Sequence, residues 1–390
     1  MFEIITSNYL LWINIAIPFA IGIYFALTHQ EYTAKEFAIQ AGITSIVLFI
    51  MFSIGYVSQD ISTTSYNSGK VNKIVYEEEW TELVHYTEQV CSGSGKTRSC
   101  HTVHKTRRDH HPDEYYLVHD FGTSYISEGQ WNKSKNEFGY NQTDDGHMGQ
   151  VSYGDGRTWE AIPNKIIPVA STDTSINYVY AAKTNIIKSS KFKDLEKRYQ
   201  KELVKYPEMY EDEYGNTNFR RVINGHLVSP DIHEMLNLQL EEYASLKGSV
   251  KEVNPIIYFT TAEDREFTAV VKGFYRDAHK NDAVLVVSVT NGEINWIDSF
   301  GFTKNAEFFV ANRSIEQDVS KDTFKSVSNA ENFVARFSYN IDHHWKRTPM
   351  EEYKYLAGDI DLPLWFEIMT VLLNVVGSFL AFRFMFNNRI

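Results

Sequence analysis

Basic residues are scarce in this chain. The 38 Lys and Arg stand against 50 Asp and Glu, a formal net charge of -12. That balance argues against nucleic acid as a partner, because its phosphates call for a basic face. Neither G-x-S-x-G nor H-E-x-x-H occurs, which leaves no recognised hydrolase signature. No internal repeat and no heptad run is present. The first residues, MFEIITSN, carry no Lys or Arg, so the apolar run that follows lacks the start of a cleaved signal peptide. Cysteine occurs twice, as Cys91 and Cys100.

What the chain does have is three long apolar runs, over residues 9–27, 37–57 and 362–386. About 20 residues of helix cross the ~30 Å hydrocarbon core of a bilayer. The stretch between the second and third runs is far too polar to enter lipid. The expectation is an α+β protein in which three transmembrane helices, two N-terminal and one C-terminal, flank a large soluble domain. Ala16/Ala20, Ala38/Gly42 and Gly377/Ala381 are small-x-x-x-small pairs that allow close helix approach. Asn14, Gln40 and Asn374 could hydrogen-bond across such a bundle. So few charges lie inside the runs that a transport or channel path is not expected.

Three spans put the N-terminus and the large domain on one side of the membrane. Lys35, Arg383 and Arg389 lie on the other side, against Glu3, Asp359 and Asp361 on the domain side. Basic flanks favour the cytoplasm. The expected location is therefore the inner (cytoplasmic) membrane, multi-pass, with the large domain in the periplasm.

The organisation reads as a transmembrane hairpin (1–58), a β-rich region (59–164), a mainly helical region (165–252), an α/β region (253–345) and a C-terminal transmembrane helix with its tail (346–390). VNKIVYEEEW, EYYLVHDF and RTWEAI carry β-branched and aromatic residues between turn formers. Phe192, Leu195, Tyr199, Leu203 and Tyr206 recur at helical spacing before Pro207. Ser229 is placed to cap a second helix, Pro230 fits its first turn, and Gly248 marks its end. IIYFTT, a helix face of Phe267, Val270, Val271, Phe274 and Tyr275, and AVLVVSV make a strand–helix–strand unit. Asn291-Gly292 then turns into INWIDSF.

Cys91 and Cys100 bound the segment CSGSGKTRSC. A short Gly/Ser loop can bring two thiols together, and an oxidising compartment would keep the bridge closed. The alternative is a pair of metal ligands. SGSGKT is no P-loop, because Val90 stands where the first glycine is required. Histidine is concentrated nearby: His101, His104, His110 and His111 could hold a divalent metal such as zinc, although Lys105, Arg107 and Arg108 interleave with them. The alternative is a solvated segment with strand-face histidines. Asp264, Asp277, Asp282 and Asp298 sit near strand and helix ends, where carboxylates could bind calcium or simply cap and turn. Asp282 and Asp298, at strand ends that converge on one side of a sheet, are the candidate pair to share a cation, and a mainly structural role is expected for both.

The order of segments resembles an uncharacterised family of membrane-anchored proteins encoded by tailed phages and some bacteria. The strings that carry the resemblance are VYEEEWTELVHYTEQVC, HKNDAVLVVS followed by INWIDSF, and KRTPMEEYKYLAGDIDLPLW. It implies a location and a phage context, not a reaction. Residues 253–345 are also similar to the TPM domain, a small tethered extracytoplasmic fold, with AHKND in place of its glycine-rich run. That likeness implies metal binding or phosphatase activity. The resulting expectation is an extracytoplasmic interaction protein acting on a host envelope, for example in superinfection exclusion. It would meet the lipid bilayer and a membrane or envelope protein. The alternative is a tethered metal-dependent hydrolase using zinc or calcium.

Overall fold

The computed structural model describes residues 5–6, 9–28, 33–57, 62–93, 98–147, 151–180, 190–275, 278–360, 362 and 364–388. Glu3, Asp277, Asp361 and Arg389, named above, lie outside them. The apolar runs form α1 (Tyr9–Thr28), α2 (Ala34–Val57) and a C-terminal helix (Leu364–Asn388). All three are long and apolar enough to cross a membrane, with mean hydropathies of 2.1, 2.1 and 1.8.

The expected amides do join the bundle. Asn374 Nδ2 donates to the Asn14 carbonyl at 2.6 Å, and Gln40 Nε2 donates to the Ser378 carbonyl at 3.3 Å. The small-residue pairs do not pack it, which corrects that expectation. Ala16, Ala20, Ala38, Gly42 and Gly377 are exposed on the bundle exterior, and Ala381 is only partly covered. A Cβ at Gly42 or Gly377 would touch nothing within 4 Å. The reason is rotational. An amide left in lipid without a partner is costly, so Asn14 and Gln40 turn inward. Ala16, Ala38 and Gly42, each two positions from one of these amides, then lie about 200° round their helices. Phenylalanines fill the contact instead: Phe25 stacks on Phe382 at 3.5 Å, and Phe37 lies against Gly22.

The β-rich region comprises β1 (Ser62–Glu77), β2 (Trp80–Ser92), β3 (Ser99–His111), β4 (Glu114–His119) and β5 (Gly122–Tyr125). It continues with helix α3 (Glu128–Phe138), β6 (Asn141–Asp144), β7 (Val151–Tyr153) and β8 (Thr158–Ala161). The long strand β1 organises it. Its second half pairs antiparallel with β4 on one side and β8 on the other. Its first half, Ser62 to Lys70, pairs with β9 (Pro168–Ile176). Ser62 faces Ile176 in that ladder, five residues beyond the end of α2. Trp131 of α3 caps a small core with Val71, Ile74, Leu117 and Ala161.

The segment 165–252 is less helical than its spacing suggests. Besides β9 it holds α4 (Ser190–Arg198), β10 (Met209–Glu211), β11 (Thr217–Phe219), β12 (Val222–Ile223) and α5 (Pro230–Lys251). α4 stops short of Tyr206 because the chain turns there to dock: Val204 N–H donates to the Tyr258 hydroxyl at 2.9 Å. Ser229 caps α5 as expected, its Oγ accepting from Ile232 N–H. Gly248 does not end that helix. It lets α5 cross β1 closely, and a Cβ there would lie 3.0 Å from Ser68.

The α/β region holds β13 (Asn254–Thr260), α6 (Glu266–Phe274), β14 (Asp282–Thr290), β15 (Glu293–Gly301), α7 (Ala306–Asp318) and α8 (Val327–His344). β12, β13 and β14 run parallel, and β15 returns antiparallel through Asn291-Gly292. Both turn residues have positive φ, 52° and 79°, as a tight hairpin turn requires. Alternate residues face opposite layers. Ile256, Tyr258, Val284 and Val286 meet Phe267, Val270 and Val271 of α6. Ile257, Phe259, Leu285 and Val287 meet α5, α7 and α8 through Leu236, Phe308, Phe333 and Phe337. β14 is therefore apolar on both faces, and each such side chain contributes about 1.5–3 kcal/mol on burial. The α6-side cluster continues to the span ends, taking in Leu11, Phe52, Tyr56 and Phe366. Trp345 belongs to the core on the other side, against Phe308.

Candidate functional site

β2 and β3 form a ribbon paired residue for residue, from Trp80 opposite His111 to Ser92 opposite Ser99. Thirteen residues at 3.3 Å each make it about 40 Å long. Cys91 and Cys100 face each other near its end and are joined as a disulfide with a Cα–Cα separation of 4.0 Å. Tyr86 through Ser92 are exposed, as are His104 through Arg108 on the opposite strand. Among the described residues only the base is paired further, where Thr81 and Glu82 meet β7. Above it, β3 and the upper part of β2 keep unpaired edges among the described residues.

Two-stranded ribbons without a core are marginal in water. This one is held at both ends. At the tip stands the disulfide. At the base the Trp80 ring lies between two imidazoles, stacked on His111 at 4.4 Å and on His147 at 3.9 Å. Between them, cross-strand pairs add modest support: Lys105 with Glu88, and His85 Nδ1 with the Thr106 hydroxyl at 3.0 Å. Residues 80–111 carry five basic and three acidic side chains in an otherwise acidic chain.

The histidines proposed as metal ligands are spread along this ribbon. His101 and His104 are three apart on one strand and so point to opposite faces, as do the adjacent His110 and His111. His104 and His110 share a face but stand about 20 Å apart, at 3.3 Å per residue. Strand geometry thus separates a set that would cluster only in a loop. Among the described residues, no three His, Cys, Asp or Glu side chains converge as a metal site.

Asp282 and Asp298 are also apart. Asp298 faces Val286, four residues along β14 from Asp282, which is about 13 Å. Asp298 accepts from Arg313 at 2.8 Å. Asp282 is fully buried and accepts from Tyr206 at 3.0 Å, Asn254 at 2.8 Å, the His279 ring at 2.8 Å and the His279 N–H at 3.1 Å. Asp264 closes the turn into α6 through its carbonyl.

Around Asp282 lies a polar network that sequence reasoning did not find. Arg221, 1 % exposed, donates to Asn254 Oδ1 and, at 2.8 Å, to Ser68 of β1. Its guanidinium lies 4.4 Å from the Phe219 ring centroid. Tyr66, also on β1, stacks on Tyr206 at 4.8 Å. Burial pushes the Arg221 guanidinium down to about 10, although Glu241, Tyr206 and Asp282 favour its charge. Burial, then the Asp282 charge, pushes the Tyr206 hydroxyl well up, so it stays a donor. The network lies at the N-terminal ends of β13 and β14, opposite the strand ends where ligands usually enter an open α/β sheet. It ties β1 to the α/β sheet. The one sequence sign of it was AHKND, which holds His279 and Asp282.

No family model, no curated protein and no solved structure matches this chain.

Proposed function

We propose that the chain is a membrane-anchored binding protein whose large domain is extracytoplasmic and whose contact element is the β2–β3 ribbon. The observation that carries this reading is the ribbon itself. It is exposed on both faces, unpaired along most of its edges among the described residues, and clamped by a disulfide at one end and a stacked tryptophan at the other. Unpaired strand edges are the template for β-augmentation, in which a partner strand adds to the ladder. A clamped ribbon has already lost the entropy that binding would otherwise cost. The excess of Arg and Lys on it suits an acidic partner segment.

The disulfide suits an oxidising compartment. Lys35 near the start of α2 and Arg383 near the end of the C-terminal helix favour placing those ends in the cytoplasm. Together they support the periplasmic reading for the domain. The resemblance to phage-encoded membrane-anchored proteins adds the context of a host envelope, with exclusion of competing phages as the role.

Excising the ribbon tests the proposal. In native membranes, the full chain is expected to migrate in a discrete higher-mass complex. Replacing residues 84–107 by an Asn-Gly turn should abolish that complex and leave thermal unfolding of the α/β core unchanged. An unaltered complex in the shortened protein would contradict the reading.

A further inference from the structure

Residues 190–205 run against the charge of the chain. They hold six Lys and Arg against three Asp and Glu, while the whole chain carries -12. Lys193, Lys197 and Lys205 line one cleft of about 470 Å³ with Gln200, Leu203 and Phe274. All three lysines are exposed, and none makes an ion pair among the described residues. The neighbouring Arg198 is different, being paired with Glu266 at 2.7 Å. The cleft thus presents three uncommitted ammonium groups above an apolar floor, with Glu196 at its wall.

Its position gives the cations a use. Leu203, which lines the cleft, and Leu195 and Tyr206 of the same segment pack against the extended apolar cluster that also takes in Leu11, Phe52, Tyr56 and Phe366 from the domain-side ends of the spans. A second path leads to the same place. Phe274 ends α6, and four residues later the Ala278 carbonyl accepts from Asn177. Asn177 follows Ile176, which pairs with Ser62 just after α2. The Phe274 end of the cleft therefore lies toward the spans, while Arg198 and Glu202 reach the opposite end of β13 and α6.

We propose that this cleft holds the headgroup phosphate of an anionic phospholipid from the leaflet facing the domain. Lysines act on phosphate as point charges. Each basic side chain near an anionic surface strengthens attraction by roughly fivefold. Leu203 and Phe274 supply apolar contact for the glycerol and first methylenes, as an interfacial cleft requires. The bound lipid would fix the tilt of the domain over its three spans. This inference does not depend on the ribbon's role, because it concerns a different surface.

The test uses the purified full chain in neutral-detergent micelles, with bound lipid counted by native mass spectrometry. Phosphatidylglycerol and phosphatidylcholine are the probes. The wild-type chain is expected to retain one phosphatidylglycerol at least tenfold better than phosphatidylcholine, with the preference falling as salt rises. The variant K193Q/K197Q/K205Q should lose that preference, while K247Q/K321Q, changed at exposed lysines elsewhere, should keep it. Thermal unfolding of both variants should match wild type. Equal retention of the two lipids by the wild type would overturn the proposal. So would an undiminished preference in the triple variant, or displacement of the lipid by millimolar inorganic phosphate, which would mark a free-phosphate site.

Discussion

Arg221 and Asp282 are both sealed from solvent, and Asn254 stands between them. Its Oδ1 accepts from the guanidinium and its Nδ2 donates to the carboxylate at 2.8 Å. Neither charge meets the other directly. Because Ser68 takes the far side of Arg221, the same amide relay holds strand β1 to the start of the α/β sheet.

Removing one member of this set leaves an uncompensated buried charge. Arg221→Met is expected to cost about 3–5 kcal/mol, because it leaves buried Asn254 and Ser68 without their donor and removes the positive charge nearest buried Asp282. Asp282→Asn should be similarly harmful, since an amide cannot accept from all four donors that the carboxylate satisfies. Asp298→Asn should cost less than about 1 kcal/mol, because its partner Arg313 is exposed. Chemical denaturation of the three variants measures the contrast. Equal, small losses would show that the network is not structural.

His119 gives a pH dependence of known sign. Its Nδ1 accepts from the Phe121 N–H at 3.2 Å, and its Nε2 pairs with the Ser124 hydroxyl at 2.9 Å, an arrangement that needs the neutral ring. Burial holds its pKa below the usual histidine value, against the pull of Asp120. The unfolded chain therefore takes up the proton first. The stabilisation is fully present above about pH 6.5 and is lost as pH falls through the lowered folded value. The unfolding midpoint should drop between pH 7.5 and 5.5, and His119→Gln should flatten that drop.

The clamp at the ribbon tip is expected to act locally. Replacing Cys91 and Cys100 by Ser removes a bridge over a short loop, about 2–3 kcal/mol by chain entropy. The core does not rest on the ribbon, so its thermal unfolding should hardly move. Amide exchange in β2 and β3 should accelerate at least tenfold. Unchanged exchange would mean that cross-strand pairs alone hold the ribbon.

Within the bundle, the Asn14–Asn374 contact should count for more than the exposed small residues. Asn374→Leu is expected to lower resistance to detergent-induced unfolding by about 1 kcal/mol, within the range for interhelical polar contacts. Ala16→Leu and Gly377→Leu should have almost no effect. The reverse order would show that the spans pack through their small faces.

Much of this was legible in the residues, and what was not has physical causes. Long apolar runs and the continuous AVLVVSV strand announce themselves, because burial on all sides leaves no polar positions. Asn14, Gln40 and Asn374 were readable as bundle contacts, because lipid offers an amide no alternative. The rotation of α1 and α2 was not; it turns Ala16, Ala38 and Gly42 outward. The histidines looked like a cluster because sequence distance is short, but an extended strand spends 3.3 Å on every residue and alternates its sides. Arg221, Asn254 and Asp282 come from three separate segments. Their meeting depends on how β1 crosses the sheet, which no local pattern encodes.

The ribbon's role is tested most directly by photo-crosslinking in native membranes. A photoreactive residue at Thr102, on the exposed upper ribbon, should trap one adduct of discrete mass. The same residue at Val310, exposed on α7, should trap none. Opening the disulfide with Cys91→Ser and Cys100→Ser should weaken the Thr102 adduct severalfold. No adduct from Thr102, or the same adduct from both positions, would contradict the account.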